Sequence, residues 1–328
     1  MVIDRLTCAF SQTGLSMEIL IDIILPVFGT VFIAYFAARF RLFPADAVDG
    51  LSKFVFNFAI PPMLFHTMSR QTLPDPIEWE FLISFFGGGY IVWILGMLVS
   101  LWCFRRDFAH ASLAGMTGAF GNTVLLGIPL ILTTFGDAGT LPVFLIIAFH
   151  SWQWFGVVTI LVEGGRGQKG ALLNIPWAII KSLVTNPILI GLFAGLAWNG
   201  FDLPLPQPVV DITEFLGRAA LPCAVFAMGA SLAQYRISGA IWEALAGSAL
   251  KLVAFPAITY VIATHIFDIA PLWRDIAVIM AALPVGVNVY LFADRYDAGA
   301  PAAATSMLIS TFLSFGTIGV LLHFLGVR

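Results

Sequence analysis

Phe120-Gly121-Asn122-Thr123-Val124-Leu125-Leu126-Gly127-Ile128-Pro129-Leu130 is the stretch on which the fold turns. It lies inside an apolar run, residues 108–135, that is long enough to span a bilayer. Yet it carries helix breakers at mid-depth. Pro129 has no backbone N–H and its ring crowds the preceding turn. Gly121 and Gly127 weaken the helix further. A break there leaves backbone N–H and C=O groups unpaired, and lipid cannot satisfy them. They must face protein, water or a ligand. Asn122 adds a side-chain amide with two donors and an acceptor, and Thr123 adds a hydroxyl. A second stretch of the same character, Leu283-Pro284-Val285-Gly286-Val287-Asn288-Val289-Tyr290, lies in the apolar run 276–293. Two interrupted hydrophobic segments in corresponding halves of a chain point to a substrate site between them.

The composition places the whole chain in a membrane. Apolar residues make up 59% and charged residues 11%, with a mean hydropathy of +0.94. A soluble domain carries about 25% charged residues. A net charge of −3 gives no reason to expect nucleic acid. Cys8, Cys103 and Cys223 have no metal or redox spacing. His66, His110, His150, His265 and His323 are scattered, without an HExxH or a Ser/His/Asp grouping, so no enzyme, metal site or cofactor is expected.

Ten apolar segments follow one another at 19–40, 47–68, 81–104, 109–135, 140–162, 174–198, 209–233, 240–265, 275–293 and 300–325. The fourth is 27 residues long, as two half-helices joined by an unwound link would be. The most polar connection, residues 164–172, divides the chain into residues 19–163 and 173–328, five segments each. Pro26 and Pro187 are 161 positions apart, Pro61 and Pro222 again 161, and Asn122 and Asn288 166. Five spans is an odd number, so the second set enters the membrane from the opposite side, which makes the repeats inverted. With the N-terminus outside, nine Lys and Arg fall on the cytoplasmic side against four on the other. The positive-inside rule therefore puts both termini outside and the 164–172 linker inside.

These landmarks, in order, resemble the auxin efflux carrier family from about Glu18 onwards: Leu25-Pro26, Ile60-Pro61, Asn122 through Pro129, Asn186-Pro187, Leu221-Pro222, Pro284 through Asn288, Ala293-Asp294-Arg295-Tyr296 and Ser310-Thr311. The bacterial branch of that family looks like carriers of small carboxylates such as malonate and malate. The resemblance implies an all-α membrane protein of ten transmembrane helices. Spans 1, 2, 6 and 7 would form a scaffold and spans 3–5 and 8–10 a transport domain in which broken spans 4 and 9 cross. It implies an elevator-like secondary transporter in a bacterial inner membrane, with a homodimer through the scaffold. Residues 1–18 would be an N-terminal extension, because family members begin near Met17.

The expected substrate site comprises Asn122, Thr123, Gly127, Pro129, Pro284, Gly286 and Asn288 at the crossing. Half-helix N-termini there attract an anion without a fixed positive charge. The competing reading is that each Asn merely caps its own half-helix. His150 and Gln153 in the fifth span share a helix face, and the fifth span of plant members contributes to their site. Ser310 and Thr311 are further candidates, weighed against hydroxyls that bond their own helix backbone. Lys251, far from both ends of the eighth span, is expected to balance the substrate's charge, to replace a coupling ion, or to tie free carbonyls. Arg218 is expected to pair with Glu214 on the same face. No acidic residue lies between Asp107 and Asp137 or between Asp275 and Asp294, which disfavours a sodium site. An anion channel or a membrane receptor is the alternative to a carrier, though no soluble sensor domain and no filter-like repeat is present.

Overall fold

The computed structural model describes residues 23–71, 78–165, 177, 181, 184–237 and 239–327. The expected extension 1–18, the linker beyond residue 165 and the beginnings of the first and sixth apolar segments lie outside the described residues.

All regular elements among the described residues are helical: α1 (Leu25–Arg39), α2 (Ala45–Phe54), α3 (Ile60–Met68), α4 (Glu80–Trp102), α5 (Phe108–Ala119), α6 (Ile128–Phe135), α7 (Thr140–Gly165), α8 (Pro187–Gly200), α9 (Gln207–Gly217), α10 (Ala220–Leu232), α11 (Ile241–Ala249), α12 (Phe255–Val261), α13 (Pro271–Ala281), α14 (Val287–Arg295) and α15 (Ala300–Phe324). Five helical stretches are long and apolar enough to cross a membrane: Glu80–Trp102, Thr123–Gly165, Gln207–Leu232, Ile241–Ile266 and Ala300–Phe324. Leu25–Arg39 and Pro187–Gly200 are shorter apolar helices.

Prolines write much of this pattern. The π-helical turns Val55–Ala59, Thr123–Gly127 and Leu250–Ala254 each end two residues before a proline, at Pro61, Pro129 and Pro256. A proline ring collides with the carbonyl four residues back and offers no N–H. Widening that turn by one residue relieves both problems without ending the helix. Caps explain other boundaries. The Asp107 carboxylate accepts the His110 N–H at 2.9 Å to start α5, and the Asn186 side chain accepts the Ile188 N–H at 3.0 Å to start α8.

Two packing groups result. In one, α1 lies on α10, while α8 and α9 lie on α3. The first two contacts are glycine-tight. A methyl built on Gly229 would sit 2.3 Å from the Val31 carbonyl oxygen, and one on Gly191 2.5 Å from that of Pro61. Gly191 and Gly195 thus serve close helix packing, as small residues four apart do in membranes. In the other group α4 packs on α5, α12 and α13, and α15 packs on α11 and α14. The Arg218–Glu214 pair forms at 2.6 Å on the exposed face of the first group.

Candidate functional site: the crossing of two interrupted helices

The helix that begins as α5 stops at Ala119, and the chain stays non-helical until Thr123. The one that begins as α13 stops at Ala281 and resumes at Val287. These two links lie against each other as an isolated antiparallel bridge between Gly121 and Val285. The Asn122 N–H donates to the Pro284 carbonyl at 2.9 Å, and the Gly286 N–H to the Phe120 carbonyl at 3.0 Å. Ser310 on α15 closes the ladder: its hydroxyl accepts the Val285 N–H at 3.0 Å. Backbone groups that lipid would strand are thus satisfied by the opposite link and one side chain.

Glycines permit the approach. A methyl on Gly286 would meet the Phe120 ring at 2.7 Å and the Gly121 carbonyl oxygen at 3.0 Å. One on Gly127 would meet the Leu283 side chain at 2.8 Å and the Met280 sulfur at 2.9 Å. Pro284 and Pro129 are buried, with Pro129 riding at the start of α6 rather than in the link. The π turn Thr123–Gly127 that runs directly into α6 accommodates the proline's ring and its missing N–H.

Asn122, Val124, Val287 and Asn288 are half-buried, whereas Gly121, Thr123, Val285 and Gly286 are buried. Asn122 stands at the cap of the π turn Thr123–Gly127, but its side chain caps nothing. Asn288 sits in the first turn of α14, whose cap is Gly286. Neither amide side chain makes a hydrogen bond within the described residues. The N–H groups of Val287 and Asn288 likewise have no backbone acceptor. Two helix starts and two unengaged, half-buried amides therefore lie on the two links.

The remaining candidates take other positions. His150 on α7 is buried against Phe120, with ring centroids 4.4 Å apart, and neither ring nitrogen has a hydrogen-bond partner. Gln153 donates to the Tyr90 hydroxyl at 2.6 Å. Thr311 bonds the Met307 carbonyl of its own helix at 2.7 Å. Lys251, in the π turn Leu250–Ala254, is completely buried. It donates to the Ala281 carbonyl at the end of α13, and its Nζ lies 4.7 Å from the Phe255 ring centroid. A methyl on Gly121 would sit 3.2 Å from both Cε and Nζ of Lys251. The lysine thus presses on the inner side of the first link.

Sequence reasoning missed Phe120, which supplies a carbonyl to Gly286 and a ring to His150. It also missed Glu243, held by Arg106 at 2.5 Å and by His110 at 2.9 Å. A cavity of about 780 Å³ lies between α1, the end of α10 and α15, lined by Tyr35, Arg39, Gln234, Tyr235 and Arg236 among others. Tyr235 packs edge-on against Tyr290 of α14, 5.0 Å between centroids, which joins this cavity to the helix that carries Asn288.

Residues 19–322 match the model of a family described as "Membrane transport protein". The chain belongs to that family, the auxin efflux carriers. It is 30% identical over 301 residues to a protein of Rhizobium meliloti (strain 1021) named "Putative malonate transporter", covering 92% of this chain and 94% of that one. Auxin efflux carrier component 8 of Arabidopsis thaliana is 22% identical over 89% of this chain and 93% of its own length. The lysosomal cholesterol signaling protein of Mus musculus is 24% identical over 93% of this chain, but only 38% of that protein is covered. The protein is a multi-pass membrane transporter and not an enzyme.

Proposed function

We propose that this auxin efflux carrier family member is a secondary carrier of a small organic anion, a mono- or dicarboxylate such as malonate or malate. The observation that carries the reading is the pair of unengaged, half-buried amides on the two links of the crossing. Two helix starts and the free amides of Asn122 and Asn288 lie on those links, with backbone N–H groups to spare. Helix N-termini bind carboxylates, and an unengaged amide in a half-buried position is a donor waiting for an acceptor. Asn122 and Asn288 are the ligating side chains, with Thr123, Gly127, Pro129, Pro284, Gly286 and Ser310 shaping or bracing the links. Lys251 is the counter-charge beneath them. His150 backs the first link from α7 through the Phe120 ring, Gln153 stands on the same helix bonded to Tyr90, and Thr311 braces α15. The name of the R. meliloti relative favours malonate.

Ten spans in two inverted repeats of five form the proposed architecture. Its support is that α1 on α10 and α8 on α3 are the same pair of contacts once the halves are exchanged. The α1/α3/α8/α10 group is the scaffold and the group with the crossing is the mobile transport domain, moving elevator-like. The cavity holding Arg39 and Arg236 is an anion-attracting mouth on the basic, cytoplasmic side. A bacterial inner membrane, termini in the periplasm and a homodimer through the scaffold complete the proposal.

Counterflow in proteoliposomes tests it. A carrier preloaded with malonate should take up labelled malonate transiently against its gradient, saturably and without chemical change. Flux that is unsaturable and shows no counterflow would instead mean an anion channel, and binding without flux a receptor.

A further inference from the structure

Lys251 is more than a brace. Its side chain is wholly buried, and among the described residues it makes no ion pair with a carboxylate. Among the described residues no acidic group acts on it. An ammonium has three hydrogens to place. Here the Ala281 carbonyl takes one and the face of Phe255 lies beside the group. The groups around it are otherwise engaged. Glu243 on α11 is held by Arg106 and His110, Asp275 on α13 by Arg274, and Tyr90 on α4 by Gln153. Glu80 of α4 is exposed at its helix start, Tyr260 of α12 packs with Arg274, and His323 of α15 is exposed near its helix end. His150 of α7, buried against Phe120, is itself a base and supplies no negative charge.

An uncompensated charge inside a protein is strongly unfavourable. The crossing is a place for a compensating anion beside it, since a methyl built on Gly121 would lie 3.2 Å from the Lys251 Nζ and Asn122 is the next residue along the link. The crossing in turn offers a carboxylate only dipoles and amides. We propose that Lys251 is the proton site of this carrier: its amine takes up one proton when a carboxylate occupies the crossing and releases it when the carboxylate leaves. Anion and proton then move together, and the coupling ion is the proton. The balance is simple. One solvent proton joins the amine lone pair to form the ammonium, the carboxylate stays ionised beside it, and both are returned to solvent on release. The inference rests on the carrier reading of the crossing.

Calorimetric titration of the purified full-length protein in detergent tests it, with malonate and acetate as probes. Runs in two buffers of different ionisation enthalpy count the protons exchanged, between about pH 7 and pH 9, where both acids are ionised. The expected result is uptake of about one proton per anion. Because binding takes up a proton, raising the pH opposes it, and Kd should weaken by about tenfold per pH unit. Lys251→Arg keeps the cation but cannot release its proton, so it should bind with no proton uptake and a flat pH profile. Lys251→Met should lose most of the affinity. Wild-type binding without proton uptake overturns the proton site and leaves the carrier intact. Undiminished uptake in either variant does the same. Failure of the folded wild type to bind either acid overturns the carrier reading itself, and the proton site with it.

Discussion

Replacing Asn122 or Asn288 by alanine separates a ligand-binding amide from a capping one, because the structure makes the two roles differ in sign and size. Loss of a side-chain cap costs about 1 kcal/mol of stability. Asn122 stands at a cap position with φ −80° and ψ 67°, yet its side chain bonds no backbone N–H. Asn288 lies beyond the cap, in the first turn of α14. Truncating either amide breaks no internal hydrogen bond at a half-buried site. The stability change should then stay within about 0.5 kcal/mol, as for an uninvolved surface position. A bound carboxylate, by contrast, loses a hydrogen bond to a charged group, worth about 1.5–3 kcal/mol. That is about tenfold to a hundredfold in Kd. The double substitution should fall short of the product of the two, since both amides address one ligand. Malonate titration calorimetry gives Kd and a thermal melt gives stability. Unchanged affinity in both single variants, or a lowered melting point with intact affinity, would refute the assignment.

Other positions give sharper structural tests. Ser310→Ala strands the buried Val285 N–H, an expected loss of about 1–3 kcal/mol seen as a lower melting point, whereas Thr311→Val removes only a bond within α15 and should melt near wild type. Gly286→Ala forces a methyl to 2.7 Å from the Phe120 ring and 3.0 Å from the Gly121 carbonyl; overpacking of about 1–3 kcal/mol should lower stability and malonate affinity together, and a variant normal in both would contradict the close crossing. Arg39→Gln with Arg236→Gln should slow malonate association and flatten its salt dependence while leaving dissociation nearly unchanged, measured by stopped flow. Uptake into proteoliposomes should persist when sodium is replaced by choline, and a steep dependence on sodium concentration would count against it, since no acidic residue lies in residues 108–135 or 276–293.

Much of the crossing was legible because its signals are local. Glycine and proline inside apolar runs announce a break, and an Arg four residues after a Glu announces the pair seen at 2.6 Å. The position of the break was less legible. Pro129 looks like the breaker, yet the non-helical link is residues 120–122, and the proline only widens the following turn. The antiparallel partner of Gly121 is more than 160 positions away, so local propensity carries no trace of it. The same holds for the 133 positions between His110 and Glu243. His150 and Gln153 were placed correctly on one helix, but a spacing of three cannot tell a ring sealed under Phe120 from an amide bonded to Tyr90.

A carrier of the proposed kind has to move one packing group past the other, and the tight contacts are distributed in a way that suits such a slide. Within the α1/α3/α8/α10 group the backbones touch. Gly229 meets Val31, Gly191 meets Pro61 and Gly195 meets Phe65, each too close to admit a methyl. Asn199 adds hydrogen bonds to the carbonyls of Met68 and Gln71 at 3.0 and 2.8 Å. Such contacts hold only at one register, because shifting either helix by a fraction of a turn drives a side chain into a backbone. Between the groups, α1 meets α15 through rings: Phe28 with Phe315 at 5.7 Å, Phe32 with Phe312 at 5.8 Å and Tyr35 with Phe312 at 5.7 Å. Ring contacts have shallow, broad minima and small individual energies, about 0.5–1.5 kcal/mol beyond burial, so a ring can exchange one neighbour for another one turn away. The two links of the crossing are tied within the second group, Asn122 to Pro284, Gly286 to Phe120, Ser310 to Val285 and Lys251 to Ala281, while α10 of the first group packs on the Thr123–Gly127 turn beside them. The two links would therefore travel as one rigid piece and present the same two amides to either side of the membrane.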